Sequence, residues 1–435
     1  MNKLKHPFFM PFIIVILCIG VVTANAISAD EEVTTNLIVH SDNGIFTTNA
    51  SYTFEVKNTY RTSQEGMVSY TVTTPAGKLV ARDSVDATIE GNSRKRYNFT
   101  IPAMKPGFYK INFMINVSDY DDTTKRVFGI RPEEIRSNHP RPADFNSFWQ
   151  TTKAELAAVK PNYKVTEKPE LEKDNRRVFL IEMKSLDDIT VRAWLTIPKG
   201  RGKNHKFPVL VTLPGYQATL KPMFGMDDDM AMLGINVRGQ GNSRDVIHPT
   251  REDYILLNIG DKNKYVMRGA VMDCVRVIDF VYSRPELDTS RIEISGGSMG
   301  GFLSVALAGV DNRIKLASAQ NPIFCDIRNM EGVVEWPIYD IKNYVKDKPG
   351  MSFAKVMDNL DYFDIKNFAP NIRIPISVGI GLLDHLAPPE NEFAFYNNLA
   401  SKHRFIRVHK DLGHEVPRSF MDEDGHRMRD MFGLF

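Results

Sequence analysis

The sequence predicts an α/β chain in which a doubly wound, mostly parallel sheet is preceded by an immunoglobulin-like β-sandwich. Three observations carry this expectation. Residues 36–131 alternate apolar and polar positions in short segments divided by turn signals. Beyond residue 142, apolar strand candidates alternate with helical periodicities. Between one such strand and one such helix lies Gly296-Gly297-Ser298-Met299-Gly300.

The chain has 435 residues, and residues 1–29 read as a secretory signal peptide. Lys3, Lys5 and His6 precede an apolar run from Phe8 to Val22, and Ala24-Asn25-Ala26 supplies the small residues of a cleavage site. The run is shorter than the roughly 20 apolar residues that span a bilayer, so no stable membrane anchor is expected. Leu17 is not the small residue that a lipoprotein site at Cys18 prefers. The mature chain is therefore expected to be exported, periplasmic or secreted. Cleavage near Ala26 takes Lys plus Arg from 55 to 53, equal to Asp plus Glu at 53. A net charge of zero gives a nucleic acid or an acidic membrane no clustered positive charge to bind. Cys274 and Cys325 remain, both in apolar surroundings, and are expected as buried free thiols rather than a disulfide framework.

Residues 30–131 are expected to form the sandwich. Strand candidates are Leu37 to His40, Tyr52 to Lys57, Met67 to Thr73, Leu79 to Val85, Arg96 to Ile101, Tyr109 to Val117 and Lys125 to Ile130. Asp42-Asn43-Gly44, Pro75-Ala76-Gly77, Glu90-Gly91-Asn92 and Lys105-Pro106-Gly107 punctuate them, at the spacing of an all-β sandwich. Tyr52, Phe54 and Val56 alternate with Thr53 and Glu55, which gives one buried face and one wet one. No chemistry is evident in this domain.

A linker from Arg131 to Pro142 opens the second domain, residues 132–435. Its strand candidates are Val178 to Met183, Val191 to Ile197, Val209 to Leu213, Ala231 to Val237, Ile292 to Ser295, Leu316 to Ala319, Ile376 to Ile380 and Ile406 to His409. Val271, Cys274, Val275, Ile278 and Tyr282 recur at the spacing of a helix that packs one face on a sheet. Such alternation implies helices on both faces of a mostly parallel sheet.

The pentapeptide around Ser298 has the G-x-S-x-G form of a nucleophile elbow, with a strand before it and an apolar helix after it, which makes the second domain an α/β-hydrolase fold. A serine hydroxyl needs a histidine to take its proton and a carboxylate to orient that histidine. On this fold the order is serine, acid, histidine. His414 lies in the loop after the last strand candidate, and Asp384 follows the strand Ile376 to Ile380. His403 and His409 read as surface or packing residues, Asp361 and Asp364 as helix caps or surface charges, and Asp411 falls outside the order rule. No role is assigned to His385. The oxyanion needs two fixed N–H donors. These are expected from the backbone of Met299 and, in the loop after Val209 to Leu213, of Tyr216. Asp227-Asp228-Asp229 reads as a solvated acidic turn, and neither a metal nor a nucleotide cofactor is expected.

These residues resemble the acetyl xylan esterase and cephalosporin C deacetylase group, carbohydrate esterase family 7. Arg238-Gly239-Gln240 is similar to its RGQ motif, Gly296 to Gly300 to its GxSxG motif, and His414-Glu415 to its terminal HE motif. Arg141-Pro142-Ala143-Asp144-Phe145, Ser283 to Asp288, Asn321 to Asp326 and Gly381-Leu382-Leu383-Asp384 also resemble it, so that the likeness spans about residues 135–420. The resemblance implies a metal-free Ser-His-Asp triad, here Ser298, His414 and Asp384, that removes acetyl groups from xylan, xylo-oligosaccharides and small acetylated molecules. It also implies that Tyr216 and Met299 line the oxyanion hole and that Arg238, Gly239 and Gln240 are scaffold. Tyr216 and Phe324 are expected as walls of a small acyl pocket, with Phe324 as plain core the competing reading. Two departures stand out: Met299 replaces the family's usual Gln, and the N-terminal sandwich is additional. Family members resemble ring-like hexamers, so a homo-oligomer is implied that the added domain could block or redirect. A prolyl-oligopeptidase-like peptidase shares the fold and triad order but has a propeller repeat that this chain lacks. A noncatalytic glycan-binding protein, with the sandwich as binding module, is the third reading, and the complete triad argues against it.

Overall fold

The computed structural model describes residues 32–202, 204–224, 229–245, 247–249, 254–415 and 417–434. The signal-peptide reading of residues 1–29, including Cys18, lies outside them, as do Asp227 and Asp228 of the acidic turn. Among the described residues no helix is long and apolar enough to cross a membrane.

The N-terminal region holds β1 (Val33–Val39), β2 (Ile45–Phe46), β3 (Ala50–Asn58), β4 (Gln64–Thr73), β5 (Leu79–Ile89), β6 (Ser93–Ile101), β7 (Gly107–Val117) and β8 (Tyr120–Ile130). They form two sheets, ordered β1-β3-β6 and β2-β8-β7-β4-β5. Pairing is antiparallel except for β2 on β8, a two-residue strand too short to announce itself in the sequence. The alternation in β3 sends Tyr52, Phe54 and Val56 inward, where Tyr52 meets Phe113 of the opposite sheet at 5.0 Å between ring centroids. Inward aromatic residues from both sheets make one closed core.

Nine further strands form the second sheet: β9 (Lys164–Glu167), β10 (Arg176–Lys184), β11 (Thr190–Pro198), β12 (Phe207–Thr212), β13 (Ala231–Asn236), β14 (Leu287–Gly297), β15 (Leu316–Gln320), β16 (Ile376–Gly381) and β17 (Arg404–His409). Their order is β17-β16-β15-β14-β12-β13-β11-β10-β9, parallel from β13 to β17 and antiparallel from β13 through β9. Strands β13, β15 and β16 are buried along their whole length, as expected of strands covered on both faces. The edge strand β9 was not anticipated, because Lys164-Val165-Thr166-Glu167 carries one apolar residue and no period to recognise.

Helices α1 (Phe145–Ala158), α2 (Val266–Tyr282) and α3 (Met299–Val310) cover one face, and α8 (Arg418–Phe432) covers the other. Between them in sequence lie α4 (Ile338–Lys346), α5 (Phe353–Leu360), α6 (Ile365–Phe368) and α7 (Pro389–Tyr396). In β12, Val209 and Val211 join the α2 and α3 side, while Leu210 packs with Met428 and Phe432 of α8. One expectation is corrected here: α2 does not pack by a single face. Arg268, Asp273 and Arg276 on its polar side are buried as well, because α1 and α3 flank it.

The sandwich rests on the loops at the carboxyl ends of β16 and β17. The Phe108 ring lies 5.4 Å from that of Phe393, and the Phe108 N–H donates to Glu390 Oε2 at 3.4 Å. Arg126 pairs with Asp411 at 3.3 Å, and Lys410 Nζ donates to the Ser41 carbonyl at 3.2 Å.

Candidate active site

Strand β14 ends at Gly297 and α3 begins at Met299, which leaves Ser298 alone in the turn at φ 58° and ψ −119°. A positive φ in a non-glycine residue is strained and persists only where its surroundings hold it. The Ser298 N–H donates to the Gln320 carbonyl at 2.8 Å, and its own carbonyl accepts from Phe302 N–H at 3.0 Å. Two glycines permit the turn. A Cβ on Gly296 would come within 2.6 Å of the Gly300 backbone, and one on Gly300 within 2.4 Å of the Leu213 carbonyl.

His414 stands in the loop after β17. Its Nε2 lies 2.8 Å from Ser298 Oγ and its Nδ1 lies 2.7 Å from Asp384 Oδ2. A carboxylate only accepts, so Nδ1 carries the proton and Nε2 is left as the acceptor for the serine hydroxyl. The Asp384 side chain is fully buried, and its other oxygen accepts from the Leu386 and Ala387 N–H groups at 2.8 and 2.9 Å. Such an arrangement can raise the nucleophilicity of an oxygen and hold an imidazolium beside a fixed negative charge.

The histidine and acid loops are laced together. Leu383 N–H donates to the Leu412 carbonyl at 2.9 Å, and a Cβ on Gly381 would strike the Gly413 carbonyl at 2.2 Å. Asn321, just past β15, donates from Nδ2 to the carbonyls of Gly413 and Glu415, at 3.3 and 2.9 Å, so it grips the backbone on both sides of His414. It was not singled out in the sequence. The only local signal, an asparagine before proline at a strand end, marks any turn.

Of the residues expected at the oxyanion site, Met299 opens α3, where the first N–H groups have no intrahelical acceptor. Tyr216 follows a segment held against the elbow: Leu213 N–H donates to the Ser295 carbonyl at 2.9 Å, and a Cβ on Gly215 would lie 3.7 Å from the Gly297 carbonyl. The Arg238-Gly239-Gln240 motif lies behind them. The buried Arg238 guanidinium contacts both Asp273 oxygens, at 2.8 and 3.0 Å, and donates to the Leu186 carbonyl at 3.0 Å. Gly239 has φ 76° and faces Tyr254, and Gln240 Nε2 donates to Met299 Sδ at 3.4 Å. The Met299 side chain is thus engaged from behind by Gln240.

Phe324 is buried, with φ 60°, and packs on Phe302 and Trp336. Half-buried Trp336 lies parallel to Phe324 and edge-on to Tyr216, each at 6.2 Å between ring centroids. Trp336 was missed in the sequence because its segment, residues 331–337, has no periodicity. The other acids near the triad in sequence have partners elsewhere. Asp411 pairs with Arg126, and Asp361 pairs with Arg328. Asp364 caps α6, as expected, but is buried rather than at the surface. It accepts from the Asp326 and Ile327 N–H groups, and burial pushes its carboxyl up to about 6. Asp229 pairs with Arg201. Cys274 and Cys325 are buried free thiols, as expected. No group of three or more His, Cys, Asp or Glu able to hold a metal ion occurs among the described residues.

A family model described as acetyl xylan esterase (AXE1) matches residues 131–429. Acetyl esterase Axe7A of Xylanibacter ruminicola is 24% identical over 306 residues, which cover 67% of this chain and 67% of that protein. Two solved structures share the fold. The acetyl xylan esterase from Paenibacillus sp. R4 is 29% identical with a TM-score of 0.62, over 69% of this chain and 98% of that one. Acetyl xylan esterase 1 from Thermoanaerobacterium sp. JW/SL YS485 is 25% identical with a TM-score of 0.60, over the same 69% and 98%.

Proposed function

The chain belongs to the acetyl xylan esterase family and is a carboxylic ester hydrolase; on that premise we propose that it is an exported serine esterase that removes acetyl groups from acetylated xylan, xylo-oligosaccharides or related carbohydrates. The reading rests above all on the two hydrogen bonds, 2.8 and 2.7 Å, that link Ser298 through His414 to Asp384. The leader-like residues 1–29 support export.

In this mechanism Ser298 Oγ attacks the acetyl carbonyl as His414 Nε2 takes its proton. Asp384 keeps the imidazole in the required tautomer and stabilises its charge. The backbone N–H groups of Met299 and Tyr216 receive the oxyanion, each worth about 3 kcal/mol in the transition state. The sugar oxygen leaves with the proton from His414, and an acetyl-serine remains. Water then attacks the acyl carbon with His414 again as base, and acetate departs from a regenerated serine. Tyr216, Trp336 and Phe324 wall an acyl pocket that suits a short acyl group.

The test compares the mature protein with Ser298→Ala on acetylated xylo-oligosaccharides and measures released acetate. We expect a loss of about a millionfold in kcat, as for removal of a triad nucleophile. Near-full activity in the variant would remove Ser298 from the mechanism. Hydrolysis of 4-nitrophenyl acetate without release from the oligosaccharide would discard the carbohydrate substrate.

A further inference from the structure

A cavity of about 640 Å³ lies in the seam between the sandwich and the nine-stranded half. Tyr216, Phe324 and Trp336 do not line it, yet the loop Leu382–Pro389 serves both regions: its Leu386 and Ala387 N–H groups hold Asp384, and Leu382 to His385, Asp384 included, line the cavity. Val333 and Val334, in the opposite wall, come just before Trp336, the aromatic residue beside Tyr216. The seam and Ser298 therefore occupy the same carboxyl edge of the sheet, where ligands of open α/β folds gather. The volume falls within the range of about 300–1,000 Å³ typical of small-molecule sites.

The lining selects a chemical class. Asn112 presents an amide that both donates and accepts, and Asn138, whose Oδ1 accepts from Asn329 Nδ2 at 3.0 Å, adds its Nδ2 donor; such groups match sugar hydroxyls. Half-buried Pro75 adds flat apolar surface against which the face of a pyranose ring can pack. Lys110, Lys125, Arg126 and Arg136 stand in the lining with Asp326, Asp384 and Glu390, and this mixture of charges and amides disfavours a wholly apolar ligand. The Asn112 amide and the exposed Lys125 ammonium have no side-chain hydrogen-bond partner among the described residues, so both are available to a ligand. Residues 74–127 of this wall lie outside the region matched by the family model, residues 131–429.

We infer that this cavity is a remote glycan subsite, which holds an unsubstituted stretch of the xylan-type chain while an acetylated sugar occupies the triad. The inference rests on the proposed function for the identity of the sugar, and the sandwich then acts as part of the substrate-binding surface.

The test uses the mature Ser298→Ala chain and unsubstituted xylohexaose in titration calorimetry. Binding is expected, and Ala76→Trp, which adds an indole from the exposed turn between β4 and β5, should weaken it at least tenfold. Asn112→Trp repeats the blockade from β7, and thermal unfolding verifies that each variant is folded. In the chain that retains Ser298, the ratio of kcat/KM for acetylated xylohexaose to that for 4-nitrophenyl acetate should fall at least tenfold in both variants. No binding, or an unchanged affinity and ratio in both folded variants, overturns the subsite. Release of acetate without xylohexaose binding leaves the esterase reading intact and removes the cavity. Binding that both variants block, in a chain that releases no acetate from carbohydrate, supports the cavity and removes the carbohydrate acetyl ester as substrate.

Discussion

In the sandwich the buried polar side chains are Thr53, Asn58 and Gln64, all neutral, whereas the nine-stranded half buries Arg176, Arg238, Asp273, Asp326, Lys366 and Glu392 among others. The sandwich amides serve turns: Asn58 Nδ2 donates to the carbonyls of Thr62, Ile89 and Glu90. Two buried ion pairs of the second half hold loops that leave the sheet. Arg238 on Asp273 anchors the loop after β13, and Lys366 Nζ, 2.7 Å from Asp326 Oδ1, anchors the segment after β15. Burying a charge pair costs several kcal/mol of desolvation per ion, and an apolar replacement is often as stable. The difference teaches that the first core is built for cohesion. The second accepts an electrostatic cost and in exchange holds particular loops in place around Ser298.

The largest effects should come from opposing changes in the two cores. Asp273→Ala removes the buried counter-charge of the Arg238 guanidinium and leaves it only the exposed Asp187 carboxylate at 3.4 Å, which should cost about 3–5 kcal/mol in urea unfolding. It should also lower kcat, because Gln240 and Met299 depend on that anchor. Phe113→Ala in the sandwich should cost a similar ~3–5 kcal/mol by opening a cavity, while kcat of the folded fraction on 4-nitrophenyl acetate stays near that of the parent. Equal kinetic effects from the two substitutions would break the contrast.

A smaller effect is expected from Asn321→Ala. Removal of its two hydrogen bonds around His414 should cost about 1–3 kcal/mol, read as a fall in kcat with little change in KM. Asn321→Asp cannot donate to those carbonyls when ionised and should not rescue it. A change confined to melting temperature would make Asn321 structural only.

The smallest effect sharpens the electrostatic side of the comparison. Glu392 is buried with no hydrogen-bond partner for either oxygen among the described residues, and burial, with the Asp384 charge second, holds its carboxyl well above the usual range. An unfolded glutamate titrates near ~4.3, so across the interval above that value the folded chain retains a proton that the unfolded chain has lost. Stability then declines as pH rises through this interval, by at most about 1.4 kcal/mol per pH unit. Glu392→Gln should flatten that decline, measured as melting temperature at pH 5, 6.5 and 8. Parallel pH profiles for parent and variant would contradict a protonated Glu392.

Much of the site was legible in the chain because its signals are local. The elbow needs glycine at 296 and 300 for reasons visible in five residues, and the α/β-hydrolase order assigns Asp384 and His414 from the strands before them. The central strands β12 to β16 were legible as apolar runs bounded by turns. Asn321 was not, since it lies 92 residues from Gly413 in sequence, and only the sheet order β15-β16-β17 brings the two loops together. Trp336 has no periodic neighbours, and the burial of Arg268, Asp273 and Arg276 on α2, beside an exposed Tyr282 that the periodicity had placed on the packed face, follows from two helices that its own pattern cannot describe.

By itself, then, the sequence determined the two kinds of core, the strand-turn-helix around Ser298 and the acid and histidine candidates, because alternation, glycine spacing and chain order act over short distances. The tertiary structure alone decided how Asn321 grips the histidine loop, where Arg238 finds its counter-charge, and that the sandwich closes a cavity against the acid loop. Each of those depends on surfaces meeting across many residues of chain, and such meetings are set by packing of the whole molecule rather than by any local pattern.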